Sequence, residues 1–259
     1  MTRDERRAAL EMIANEVRDC TACRLHEGRN RAVPGEGDPD TEVVFVGEGP
    51  GFNEDREGRP FVGRAGALLV RLLARIGWRR EDVFITNVVK CRPPDNRDPQ
   101  PDEIAACAGY LRRQLEVLDP AVVVTLGRYS MGTFMPGARI GQVHGTSTPA
   151  DPETGARNAL VFAMYHPAAA LRTASIERES FEDMARVPAL LLDARERRAD
   201  PAPVVGDTAA GRAIVPEPAI VPQPVAAAPA TPDSSLPASA PSLAAADPAA
   251  DDASQLTLF

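Results

Sequence analysis

One lysine, Lys90, stands among 29 basic residues, so the cation chemistry of this 259-residue chain is arginine chemistry. The scarcity matters because Schiff-base and amine-nucleophile mechanisms need a lysine, and the only one available adjoins Cys91 and is poorly placed for such work. Aromatic residues make up 5% of the chain, with a single Trp, and there are three histidines. No apolar run approaches the roughly 18–20 residues that a membrane span requires. The N-terminal Met1-Thr2-Arg3-Asp4-Glu5-Arg6-Arg7 lacks the apolar stretch of a secretory leader. These absences predict a cytoplasmic protein, where thiols stay reduced, and the spacing of the four cysteines, a pair and two distant singles, reads as metal ligands rather than a disulfide scaffold.

The formal charge is −8, and residues 201–259 hold six acids against one base, so most of the imbalance lies there. That segment is Ala, Pro, Val, Ser and Asp without Trp, Tyr or Cys. Such a composition cannot bury enough apolar surface to offset the entropy of ordering. The predicted organisation is therefore one domain over 1–200 and a disordered acidic tail over 201–259. The domain itself is slightly acidic. Affinity for nucleic acid would come from local clusters of arginine, the better bidentate phosphate partner, and would be modest and salt-sensitive.

Apolar spacing predicts helices over 8–17, 65–76, 101–118 and 176–198. Nearly continuous apolar runs predict four strands, at 42–46, 83–87, 121–126 and 160–165. Strands buried on both faces and separated by helices describe a three-layer α/β/α sandwich around a mainly parallel four-stranded sheet. Ligands of such sheets bind at the carboxyl ends of the strands. Three loops should converge there: 48–55, 87–94 and 166–171.

Cys20 and Cys23 form a C-x2-C pair, and Cys91 and Cys107 follow after a long gap. Four thiolates at this spacing suit either Zn or a [4Fe-4S] cluster. The loop Gly47-Glu48-Gly49-Pro50-Gly51, with Glu54 and Asp55, allows backbone amides close to a ligand. It is neither a P-loop nor a G-x-G-x-x-G fingerprint. Asn87, at a strand end, offers the donor and acceptor that a pyrimidine edge needs. His166, at another, can donate to an oxygen that gains negative charge.

Together these residues resemble the uracil-DNA glycosylase superfamily, most closely its family 4, the iron-sulfur enzymes of bacteria and archaea. The match runs from Cys20 to about Leu171. Its motifs are Gly47-Glu48-Gly49-Pro50-Gly51 with Glu54-Asp55, Gly58-Arg59-Pro60-Phe61-Val62-Gly63, Thr86-Asn87-Val88-Val89-Lys90-Cys91-Arg92-Pro93-Pro94, and His166-Pro167-Ala168-Ala169-Ala170-Leu171. The resemblance implies a monofunctional enzyme that flips uracil from single- or double-stranded DNA and hydrolyses its N-glycosidic bond. It implies a structural [4Fe-4S] cluster on Cys20, Cys23, Cys91 and Cys107.

The resemblance also implies roles for single residues. Glu48 and the Gly49 amide would line the uracil pocket, and Phe61 would stack on the base. Glu54 would crowd the pyrimidine C5 edge against thymine, Asn87 would read the uracil edge, and His166 would stabilise charge on the leaving uracil. Leu171 and Arg172 would probe the minor groove. Gly49 stands where family 1 enzymes have an aspartate, so Glu48 and Asn87 become the candidates to position water. Two rival readings keep the fold: specificity for hypoxanthine or xanthine, and a module that binds or traps DNA without turnover. At the C-terminus, Gln255-Leu256-Thr257-Leu258-Phe259 resembles a bacterial sliding-clamp-binding peptide, with Gln255, Leu256, Leu258 and Phe259 as anchors on a flexible tether. A monomer is expected.

Overall fold

The computed structural model of the chain describes residues 1–199. The expected tail, and the clamp-type peptide at 255–259, lie outside the described residues. Six strands make one sheet: β1 (Glu36–Gly37), β2 (Val43–Gly47), β3 (Phe84–Asn87), β4 (Val122–Leu126), β5 (Ser147–Pro149) and β6 (Leu160–Met164). Their order is β1-β3-β2-β4-β6-β5. The four inner strands are parallel, with Phe45 opposite both Ile85 and Val124. These are the four strands read from the sequence, and the count rises to six because β1 and β5 pair antiparallel at the edges. Two residues ending in Gly37, and three ending in Pro149, carry no apolar run from which a strand could be read.

The helices are α1 (Arg3–Asp19), α2 (Leu25–Gly28), α3 (Phe52–Glu57), α4 (Arg64–Arg75), α5 (Pro101–Leu118), α6 (Arg128–Phe134), α7 (Ile140–Val143), α8 (Pro167–Ala170), α9 (Ala174–Met184) and α10 (Val187–Ala199). None of them is long and apolar enough to cross a membrane. Every residue of the inner strands is buried, because helices cover both faces. Val43 and Phe45 pack with Leu69, Leu72 and Leu73 of α4 and Leu191 of α10. Val44 and Val46 point the other way, into Leu111, Leu115 and Leu118 of α5 and Leu10 of α1. This period-2 alternation makes the three layers, and each large apolar side chain so buried contributes about 1.5–3 kcal/mol.

The helix expected over 176–198 is two helices. Pro188 is the reason: it brings no N–H and its ring clashes with the carbonyl four residues back, so it sits in the first turn of a new helix. Helix α1 is longer than its apolar spacing suggests. Thr2 caps it, accepting from the Glu5 N–H at 3.3 Å while the Glu5 carboxylate accepts from the Thr2 N–H at 2.8 Å.

Candidate active site and cysteine centre

After β2 the chain adds β3 on one side and β4 on the other, so a crevice opens at the carboxyl end of β2. Glu48, Gly49 and Gly51 leave β2 there, Asn87 ends β3, and His166 follows β6. With Glu54, Phe61 and Arg172 they line one cleft of about 350 Å³, within the range of small-molecule sites. Leu171 lies beside this lining, 36% exposed.

Asn87 is buried, and its Oδ1 has no hydrogen-bond partner. An orphaned buried acceptor costs roughly 1–3 kcal/mol, which a bound donor would recover. Gly47 makes its position possible, because a β-carbon there would lie 2.4 Å from Asn87 Oδ1 and 2.6 Å from the Phe61 ring.

Phe61 has φ of 50°, an unusual left-handed backbone for an aromatic residue. The backbone of Gly66 packs against it so closely that a β-carbon would fall 1.9 Å from the Phe61 carbonyl oxygen. Arg80 donates to that oxygen at 2.9 Å and also to the Pro60 carbonyl, while pairing with Glu36. The result is a ring held at the cleft wall, its centroid 5.8 Å from that of His166. Glu54 braces the same wall: its carboxylate accepts backbone N–H groups of Gly51 at 3.1 Å, Val62 at 2.9 Å and Gly63 at 3.0 Å. The side chain expected to crowd a substrate edge thus has both oxygens bound to the loop that frames the cleft.

His166 Nδ1 accepts the Ala168 N–H at 3.1 Å. Burial pushes the imidazole down to about 4, against a smaller upward pull from Glu54, with Arg172 also lowering it. At neutral pH the ring is therefore uncharged, with its proton on Nε2. Glu48 moves the other way, to about 7, first through burial and then through repulsion from Asp98, with Arg128 opposing. The cleft thus holds a neutral donor and a carboxylate that titrates near neutrality.

Several contributors escaped the sequence reading. Gly127, with φ of +93°, leaves room for His166: a β-carbon would sit 2.8 Å from His166 Cβ. Arg80 and Gly66 act on Phe61, and neither carries a motif of its own. Asn96, Arg97 and Pro99 extend the lining beyond the expected loop at 87–94. The available signal was the pair Asp95-Asn96, residue types that tolerate the left-handed backbone both adopt here, each with φ of 53°.

Cys20, Cys23, Cys91 and Cys107 are all free and line a second, separate enclosed space beside Val17, Arg29 and Tyr110. Three of the sulfurs accept N–H groups: Cys107 from the Lys90 backbone at 3.4 Å, Cys20 from Ala22 at 3.5 Å, and Cys91 from the Arg29 guanidinium at 3.1 Å. Burial raises the Cys91 thiol and pushes Cys107 to about 11, so thiolates here require a compensating cation. Four soft donors in one apolar space, with N–H groups aimed at sulfur, fit a thiolate-held metal group. Among the described residues no three Cys, His, Asp or Glu side chains converge as on a single ion. Lys90 separates the two centres. Its buried Nζ donates to Thr86 Oγ1 at 2.6 Å, Gln114 Oε1 at 2.7 Å and the Asn87 carbonyl at 2.8 Å.

The family description "Uracil DNA glycosylase superfamily" matches residues 34–186. A type-4 uracil-DNA glycosylase of Saccharolobus solfataricus is 50% identical over 184 residues, covering 69% of this chain and 84% of that protein. One from Thermotoga maritima is 48% identical over 176 residues, covering 68% and 88%. A type-5 uracil-DNA glycosylase of Thermus thermophilus matches at 34% identity over 154 residues, covering 46% and 70%. The cleft, the four cysteines and these likenesses agree: the chain belongs to the uracil DNA glycosylase superfamily and sides with its type-4 members.

Proposed function

We propose that the protein is a monofunctional uracil-DNA glycosylase that flips uracil out of DNA and hydrolyses its N-glycosidic bond, leaving an abasic site. The observation that carries this reading is the buried, unpartnered Oδ1 of Asn87 at the wall of a cleft of about 350 Å³, large enough to admit a nucleobase. Uracil N3–H is the donor it lacks, and the same amide's N–H would reach O4. Phe61 stacks on the ring. The Gly49 amide and His166 Nε2–H face the oxygen on which charge collects as the bond breaks. A neutral donor suits that task, because it stabilises the leaving anion without surrendering a proton early. The sugar left behind is oxocarbenium-like, and Glu48, ionised above about 7, orients the attacking water with Asn87 as its partner. Lys90 is unsuited to lyase chemistry, because its Nζ is enclosed and holds three acceptors.

Glu54 excludes thymine indirectly, by fixing the loop that closes on the C5 edge. Leu171 and Arg172, on the loop after His166, probe the minor groove where the base was. Cys20, Cys23, Cys91 and Cys107 would hold a [4Fe-4S] cluster whose contribution is to fold the loops around it. Residues 255–259 would anchor the enzyme to a sliding clamp, and removing them should abolish clamp binding while sparing cleavage. The working form is a cytoplasmic monomer.

Specificity for hypoxanthine or xanthine gains nothing from Gly49. A β-carbon there would meet Val89 Cγ2 at 2.7 Å, so the glycine relieves packing against Val89. The test is alkaline strand scission of labelled oligonucleotides carrying one uracil, hypoxanthine or xanthine, using anaerobically purified protein. Cleavage confined to uracil is expected. Cleavage mainly at the purines would overturn the substrate, and a retained DNA complex without cleavage would point to a binding module.

A further inference from the structure

Phe52 opens α3 immediately after Gly51 of the cleft lining, and 51% of it is exposed. It is the one aromatic among the large exposed apolar side chains of the described residues. Two guanidinium groups lie over its ring, with Arg56 Cζ 5.6 Å and Arg92 Cζ 5.2 Å from the centroid. Arg92 directly precedes Pro93, another cleft residue. Neither arginine has a carboxylate within 4.0 Å among the described residues. Arg59 and Arg97, close by in sequence, both do. Arg92 Nε donates to Asn96 Oδ1 at 2.7 Å, which fixes the arm and leaves both terminal nitrogens without a protein partner among the described residues.

A single exposed aromatic needs no explanation, nor does a single unpaired arginine. Their coincidence at the cleft mouth does, in a chain of net charge −8 where most of the described arginines, though not Arg29, Arg31, Arg64, Arg75, Arg139 or Arg172, have a carboxylate within 4.0 Å. A strand leaving the cleft offers a flat base and an anionic phosphate at each step. Ring and guanidinium groups match that alternation: the ring takes a base face by stacking, and each arginine takes a phosphate.

We propose that Phe52, Arg56 and Arg92 form a subsite for the nucleotide adjacent to the flipped one on the same strand. The proposal deepens the uracil-DNA reading of the cleft and rests on it. Phe52 stacks on that neighbour's base, and the two guanidinium groups hold the phosphates on either side. The subsite reads no sequence, since every base has a face to stack.

The test is fluorescence anisotropy with a labelled single-stranded oligonucleotide free of uracil, with excision kinetics on a uracil oligonucleotide of the same length. Phe52→Ala should weaken binding about five-fold or more, the loss of one stacked base. Its excision defect should appear in KM rather than kcat. The Arg56→Gln, Arg92→Gln double variant should flatten the dependence of log affinity on log salt by about 1.4, the loss of two phosphate contacts on a single strand. Phe52→Trp supplies a direct reading, since its emission should be quenched by oligothymidine beyond the change seen in the wild type. Unchanged affinity in Phe52→Ala, together with no added quenching in Phe52→Trp, would overturn the subsite. Because the binding probe holds no uracil, a wild type that binds DNA but leaves uracil in place would refute the substrate and spare the subsite.

Discussion

The Nδ1 atom of His166 accepts the backbone N–H of Ala168 at 3.1 Å, and that bond decides which nitrogen can serve the substrate. With Nδ1 occupied as an acceptor, the neutral ring carries its proton on Nε2. His166→Ala should lower kcat by about 10²- to 10³-fold, the usual loss for one donor to a developing anion.

The same residue should set part of the acid stability. Its folded pKa of about 4 lies below the ordinary histidine value, so between roughly pH 6.5 and 4 the unfolded chain binds a proton that the folded chain refuses. Stability from this group is present above that window and lost as pH falls through it. Thermal melts should find that His166→Gln flattens the decline between pH 6.5 and 4 relative to the wild type. Parallel curves would mean that the imidazole is not held neutral.

Glu48 should appear in the rate. Its carboxyl, raised to about 7 by burial and by Asp98, ionises across neutrality, so kcat should climb from pH 5.5 to 8 if the carboxylate orients water. Glu48→Gln should remove that limb. Asp98→Asn should move it to lower pH, because a repulsive neighbour is gone while Arg128 remains. The stability effect has the opposite sign. A carboxyl whose folded pKa is raised costs stability as pH rises from about 4.5 to 7, so Glu48→Gln should melt higher than the wild type at pH 8 and show little gain at pH 4.5. A rate profile that keeps its limb in Glu48→Gln would assign the water to another group.

How legible the site was follows from what each residue has to do. Asn87 and His166 were legible from residue type at strand ends, Glu48 and Phe61 through the family resemblance, and all four reach the cleft. The parallel sheet was legible for a similar reason: Val43 to Val46 is apolar without interruption and Val122 to Leu126 is broken only by Thr125, because both faces are covered. Gly66, Arg80 and Gly127 were not legible. Their work is to leave space or to grip a carbonyl across a gap in sequence, and no local pattern records a contact between Gly127 and His166. Glu54, placed at the pyrimidine C5 edge by the resemblance, does line the cleft, but no local pattern records the amides of Val62 and Gly63 that its carboxylate accepts.

Gly127→Ala tests that hidden layer. A β-carbon at φ of +93° is strained in itself and meets His166 Cβ at 2.8 Å, so the imidazole must shift. Excision should fall by an order of magnitude or more, since a displacement near 1 Å costs about 100-fold in a positioned site. Uracil-free DNA should bind as to the wild type. Equal losses of binding and cleavage would indicate general unfolding instead.

Lys90 links the cysteine centre to the cleft, and its removal should injure both. Its Nζ ties the Asn87 carbonyl at 2.8 Å to Gln114 Oε1 at 2.7 Å and Thr86 Oγ1 at 2.6 Å, while its backbone N–H meets Cys107 Sγ at 3.4 Å. Lys90→Met keeps the length and apolar stem but leaves three buried acceptors short of a donor. Each such group costs about 1–3 kcal/mol, so the variant should lose at least about 2 kcal/mol in denaturant melts. Because Asn87 is held through its own carbonyl, the folded fraction should also excise uracil more slowly, with kcat reduced and KM little changed. Borohydride should trap no covalent DNA adduct with wild type or variant, since the amine serves as a strut. An adduct formed by the wild type and absent in Lys90→Met would instead make Lys90 a nucleophile and the enzyme bifunctional.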